Sequence, residues 1–341
     1  MLTIVASVII FGLLVFFHEL GHYAVAKKAG IGVIEFAIGF GPRIFTWEKG
    51  ETIYSLRIFP LGGFVRLTGE DPGESDEEGS FQKQPVWKRF AVIACGPLMN
   101  ILLSVLLFSL LYFAFLGVPA YDSTAIGKML PEGVAEKAGL QSGDRILSIA
   151  GEEVNSWPEV VAVIHAHPQE EIEIVFVRGN DTHRIKVTPV RDPQSGNGLI
   201  GIQAETKLYS FLGAARLGFE HTFWLLRYIA VSLVQMVTGR VAPDLVGPVG
   251  IIQIVGEVAK TGIMNLIQLA AIISLNLGFL NLLPIPALDG SRLLFLLIEG
   301  VRGKPIDPQK ESFVHFIGFT ILILLMIVIA YRDLMRLDIF F

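Results

Sequence analysis

The chain has 341 residues, 52% of them hydrophobic, and a mean hydropathy of +0.59, above the roughly 45–50% apolar share of ordinary soluble domains. A net charge of −5 without a basic cluster argues against general nucleic-acid affinity. The single cysteine, Cys95, excludes a disulfide framework and a thiolate-rich metal site, and reads as a small buried hydrophobe.

Residues 1–24 open with MLTIVASVIIFGLLVFF and lack a basic n-region and cleavage site, so they read as a retained membrane span rather than a leader. Three ionisable side chains, His18, Glu19 and His22, end this apolar run. Over 44–67 two β-rich runs flank a Lys49-Gly50 turn and predict a hairpin. The acidic GEDPGESDEEG (Gly69 to Gly79) reads as a solvated loop. Residues 91–117 predict a second span, and residues 119–204 return to soluble composition, with short β-rich runs and one helical stretch near Trp157 to His165. Residues 206–240 carry Arg216, Glu220, His221 and Arg227, which fits an amphipathic helix lying in the interface rather than a span. Residues 263–288 are apolar but carry Asn276, Asn281, Pro284 and Pro286. The prolines break the helix near its end, and broken backbone at membrane depth needs cover from protein or a wet cavity. Residues 313–331 predict a last span; each span approaches the roughly 20 residues that cross the hydrocarbon.

Lysine and arginine set the orientation. Lys27, Lys28, Arg43, Lys49, Arg57, Arg66, Lys83, Lys88 and Arg89 lie between the first two spans, and Arg292, Arg302, Lys304 and Lys310 between the last two. Both segments are expected in the cytoplasm, with both termini and residues 119–204 outside. The fold class is thus a polytopic α-helical membrane protein with four transmembrane helices, a cytoplasmic membrane-associated β-hairpin and one extracytoplasmic α+β domain. It divides into a membrane half (1–118), the extracytoplasmic domain (119–204), an interfacial segment (205–262) and a second membrane half (263–341). Within the domain, PEGVAEKAGLQSGDRILSIAGEEV (Pro131 to Val154) resembles a bacterial PDZ domain, a module that binds extended peptides by strand addition. Leu199, Gly201 and the isoleucines Ile200 and Ile202 resemble its carboxylate-binding strand, placed last as in a circular permutant. His165, His167 and His183 read as ordinary histidines of this domain.

His18-Glu19-Leu20-Gly21-His22 is an HExxH motif. Residues four apart share a helix face, so both imidazoles can reach one ion, while Glu19 lies off that line and suits a general base acting on water. Unpaired ionisable groups in a span cost at least a few kcal/mol each, which disfavours a pair of idle core histidines. A catalytic zinc needs three protein ligands and one open position. Asp289, directly after the proline break, is the best third candidate, against its alternative as a plain turn aspartate in an Asp-Gly pair. The topology tests the pairing: if 206–240 does not cross, Asp289 ends at the same leaflet as the histidines, and if it crosses, the two cannot share an ion.

HELGH, GFGP (Gly39 to Pro42), PLGGFVRL (Pro60 to Leu67), GPLMN (Gly96 to Asn100), one PDZ-like domain and NLLPIPALDG (Asn281 to Gly290), in this order over essentially the whole chain, resemble the site-2 protease family. The closest likeness is to its bacterial branch of anti-sigma-factor-cleaving zinc metalloproteases. The resemblance implies four spans in the cytoplasmic (inner) membrane, Zn2+ held by His18, His22 and Asp289, Glu19 as general base, and Asn281 as a polar group for the substrate backbone or oxyanion. It also implies substrate binding at the hairpin edge, with Gly62, Gly63 and Phe64, and single-span membrane-protein substrates already trimmed by another protease. A single PDZ-like domain departs from the two-PDZ members. Two rival classes are a catalytically inactive membrane-anchored PDZ adaptor, against which the intact motifs argue, and a metal transporter, which should show several polar spans and an internal repeat.

Overall fold

The computed structural model describes residues 2–70, 79–115, 118–130, 133–193, 195–207, 209–241 and 246–336. Most of the acidic loop, together with Pro131 and Glu132 of the PDZ-like motif, lies outside these residues. The chain divides into two compact units, one formed by Met1–Leu111 and Ala215–Phe341, the other by Tyr112–Ala214.

The first unit begins with α1 (Leu2–Ala29). Gly30, at φ +75°, ends it; the Ile31 N–H reaches back to the Ala26 carbonyl at 2.9 Å, and Lys27 and Lys28 complement the carbonyl end of the helix dipole. Next come β1 (Val33–Lys49) and β2 (Thr52–Leu67), an antiparallel pair with a compound register. Lys49↔Thr52 to Arg43↔Arg57 makes the expected hairpin, but Glu35 to Ile38 are flanked on both sides, by 63–66 and by 53–56. The ribbon therefore starts at Val33 rather than at residue 44. Gly39 and Gly41, at positive φ of 89° and 85°, let β1 bend and continue.

Glu35, 5% exposed, ties the ribbon together. It accepts hydrogen bonds from Ser55 Oγ (2.5 Å), Arg43 Nη2 (2.7 Å) and Arg57 Nη2 (2.8 Å). Burial pushes its carboxyl up, but these three donors outweigh burial and hold it at about 2. Ile44, Phe45, Trp47, Ile58 and Phe59 stay exposed, an apolar patch suited to a lipid surface.

α2 (Val86–Leu110) runs on through a π-turn (Leu111–Phe115). The second unit then follows with β3 (Val118–Pro119), β4 (Ile126–Met129), α3 (Val134–Lys137), β5 (Arg145–Ile149), β6 (Glu152–Glu153), α4 (Trp157–Ala166), β7 (Ile172–Arg178), β8 (Asp181–Val187), β9 (Val190–Arg191), β10 (Gly198–Leu199), β11 (Ile202–Ala204) and β12 (Thr206–Lys207). Inward residues of the sheet β6-β5-β7-β8, among them Ile146, Ile149, Ile174 and Phe176, pack on Val160 and Ile164 of α4. Asp144 is buried yet fully paired, accepting from Arg178 Nε and Nη2 and from the Gln141 N–H.

The predicted interfacial segment is two helices, α5 (Phe211–Val237) and α6 (Pro248–Thr261), the second opened by a proline at its first position. Within the first unit, α6 packs Val255 against the Ala6, Ile10 and Leu14 face of α1, and Asp333 Oδ2 accepts the Gly250 N–H at its start (2.9 Å). α7 (Ile263–Leu282), α8 (Asp289–Arg302) and α9 (Pro308–Arg336) complete the chain. Among the described residues, four helices are long and apolar enough to cross a membrane: Leu2–Ala29, Val86–Ala114, Ile263–Leu282 and Gln309–Met335. α5, with Arg216, Glu220 and Arg227, is not among them.

Candidate metal centre

His18 and His22 project from one face of α1, and α7 ends so that Asp289 comes to meet them. Leu283 turns extended, Pro284 and Pro286 cannot continue the helix, Ala287 takes φ +75°, and α8 restarts at Asp289. Gly290 is required there, because a Cβ would overlap the carbonyls of Leu282 and Leu283. The last span supports this loop, since Gly318 packs on Pro286 and the Ala287 N–H donates to His315 Nδ1 at 3.2 Å.

Asp289 Oδ2 lies 3.1 Å from His18 Nε2 and 3.6 Å from His22 Nε2, and the two nitrogens are 3.3 Å apart. Ligand atoms about 2.0–2.1 Å from a tetrahedral zinc are themselves about 3.4 Å apart. The three separations therefore match the edges of such a coordination shell, and the N, N, O donor set is a catalytic-zinc set. Among the described residues this is the group able to hold a metal.

α2 closes the site from behind. A Cβ on Gly21 would overlap the Cys95 carbonyl, and one on Gly96 would overlap the His22 ring, so both glycines are needed for the approach of the two helices. Cys95 is half-buried rather than buried, and its carbonyl faces Gly21 of α1. His22 Nδ1 donates to the Val92 carbonyl at 2.9 Å, and the Asn100 amide lies 3.2 Å from His18 Nδ1. Asn100 carried no sequence signal beyond its place in GPLMN; one asparagine in an apolar helix could equally have been a packing residue.

Glu19 is not one of the three clustered ligands, and its side chain adjoins the ribbon. The inner face of Gly63 looks onto the Glu19 side chain, with 3.1 Å between its notional Cβ and Glu19 Cγ. Gly62 and Phe64 flank it on the same edge, and the Arg57 guanidinium sits 4.9 Å over the Phe64 ring. Asn281 is half-buried in the last turn of α7, one turn before the proline break. Leu199 to Ile202 belong to the second unit. There Leu199 pairs with Val190, the carbonyls of Ile200 and Gly201 accept from Ala135 and Leu130, and Ile202 pairs with Met129. His183 stacks on Phe176 and His167 bonds to Val163, so neither is part of the metal cluster.

A cavity of about 860 Å³ borders Asp289 and is lined by Glu70, Arg89, Arg292, Glu299 and His315 among others. Arg292 Nη1 pairs with Glu70 at 2.5 Å, and Arg89 pairs with Glu299. Burial pulls the Arg292 guanidinium down, but Glu70 and the other acids nearby more than reverse this, so it stays a permanent cation.

The model of peptidase family M50 matches residues 6–325. The chain is 39% identical to the regulator of sigma-W protease RasP of Bacillus subtilis, over 98% of this chain and 99% of the relative. It is 38% identical to the zinc metalloprotease RasP of Geobacillus kaustophilus, over 98% of each. A solved PDZ domain of a Listeria monocytogenes SdrC-like protein aligns with 24% of this chain and 86% of its own at 23% identity, with a TM-score of 0.22.

Proposed function

Since the chain belongs to peptidase family M50, and is a multi-pass membrane metalloprotease, we propose that it hydrolyses a peptide bond within the membrane at the His18, His22 and Asp289 centre. The observation that carries this is the set of 3.1, 3.3 and 3.6 Å separations among three ligand atoms. His18 Nε2, His22 Nε2 and Asp289 would hold a zinc ion, which when bound lowers the pKa of water toward about 7 and polarises a carbonyl.

The chain's own groups do the rest. Glu19, beside the three ligands and adjoining the ribbon, takes a proton from the attacking water and returns it to the leaving amine. A helical substrate has its carbonyls hydrogen-bonded and must unwind before attack. The edge at 63–67, paired among the described residues with 33–38 on one side, offers the backbone partners that an unwound segment needs. Asn281 serves the substrate backbone or oxyanion as the proline break brings its helix end toward Asp289. The cavity beside Asp289, with Glu70, Arg89, Arg292 and Glu299 in its lining, supports access of water from the same end.

The substrates are membrane proteins. By analogy with the sigma-W regulator, an anti-sigma factor trimmed beforehand by another protease is the proposed class. The second unit, read as PDZ-like, would filter or dock such substrates outside the membrane through Leu199 to Ile202. Lys27 and Lys28 at the end of α1 support a site near the cytoplasmic leaflet, with both termini and the second unit outside.

Glu19→Gln tests the reading. Cleavage of a co-expressed single-span substrate should fall about 10²–10⁴-fold, with zinc content unchanged. Undiminished cleavage by that variant would sink it.

A further inference from the structure

Both histidines of the centre have a second ring nitrogen, and α2 meets each of them differently. His22 Nδ1 donates to the Val92 carbonyl, a group that can only accept, so His22 is fixed with its lone pair on Nε2. His18 Nδ1 meets the amide of Asn100, whose nitrogen lies 3.2 Å away, while the amide oxygen is buried without a hydrogen-bond partner among the described residues. Asn100 is fully buried and firmly placed: its carbonyl accepts from Ser274 Oγ at 2.8 Å, and Gly278 lets α7 approach its Cβ.

An amide offers a donor and an acceptor at nearly the same position, and a half-turn about its bond to Cβ exchanges them. With the nitrogen forward, Asn100 donates to a bare Nδ1, and the His18 proton sits on Nε2, facing Asp289. With the oxygen forward, it accepts a proton from Nδ1 and leaves the Nε2 lone pair free for a cation. We propose that Asn100 is the positioning residue that sets the tautomer of His18, turning its amide oxygen to Nδ1–H when the ion binds at Nε2. The proposal rests on the metal reading of the site. It places on α2 the outer partners of both histidines, of which one is rigid and the other reversible. The reversible partner keeps His18 satisfied before and after metal enters, which the unpaired amide oxygen otherwise leaves without explanation.

The test uses the full-length protein, purified with zinc, and follows metal content and the rate of zinc loss to a chelator. Asn100→Leu keeps the side-chain shape without its hydrogen bonds, and Asn100→Asp keeps only the acceptor. Partners of this kind typically set metal affinity by 10–100-fold. N100L should release zinc 10–100 times faster than wild type, and N100D should hold it at least as well as wild type. Asn100→Ser, too short to reach Nδ1, should behave like N100L and replaces it if N100L does not insert. Release by N100L or N100S at the wild-type rate would overturn the role, as would release by N100D as fast as by N100L. A wild-type protein that binds no zinc would overturn the metal reading and this role together, so the two failures are distinguishable.

Discussion

The second and the last span are nearly equal in length and differ in the opposite sense to what their hydropathy suggests. The most apolar 18 residues of Val86–Ala114 have a mean hydropathy of 2.3 and are 44% buried, whereas those of Gln309–Met335 reach 2.8 with 6% buried. In water the more apolar helix would go inside. In lipid, hydrocarbon is as good a neighbour as leucine, and burial follows small and polar residues instead. α2 has Gly96 against His22, Asn100 against His18, and a buried Ser104, whereas α9 supports the Asp289 loop from outside, through Gly318 and His315. The centre is thus built where close approach is possible, and the most hydrophobic helix is left facing outward.

Gly96→Val is the strongest probe of that contrast. Its new atoms would occupy the space of the His22 ring, so zinc content should fall below a tenth of wild type and cleavage with it, by metal analysis and substrate assay; retention of both would remove small-residue packing as the cause. In α9, Gly318→Val should have a middling effect. It pushes on the loop that carries Asp289 and should cost about 1–3 kcal/mol, seen as a lower thermal midpoint and a partial loss of zinc.

Charge can be separated from packing in the ribbon. Glu35 is held at about 2, below its ordinary 4.5, so its pairing stabilises the fold fully above about pH 4.5 and is lost as pH falls toward 2. Acid unfolding of the ribbon should shift upward in Arg57→Gln, by on the order of half a unit or more, followed by tryptophan fluorescence of Trp47. The smallest effect belongs to the outward face of α9. Leu324→Ile should change stability by less than about 0.5 kcal/mol, and a larger loss would mean that this face is covered by protein.

The centre was legible because its residue types are costly in a span: two histidines four apart and an aspartate after a proline break have few other uses there. The four spans were legible from apolar length alone. Other features depended on neighbours that no local pattern reveals. The hairpin at 44–67 reads from its two β-rich runs, but the strand before it does not: pairing on both sides of 35–38 makes Gly39 and Gly41 bends within β1. The division of 205–262 into α5 and α6 rests on packing of Val255 and Gly256 against α1, and α8 was hidden because the Asp-Gly pair marks a turn as readily as a helix start. Asn100 became meaningful only when α2 was seen beside α1.

The third span is the short one. Its 20 residues rise about 30 Å, against 27 to 29 residues in each of the other three. A helix that only just matches the hydrocarbon has no length to spare: in a thinner bilayer it must tilt or kink, and in a thicker one the bilayer must thin around it. Asp289 hangs directly from its end, so the depth of the centre is registered against membrane thickness, and acyl-chain length becomes a variable of the chemistry.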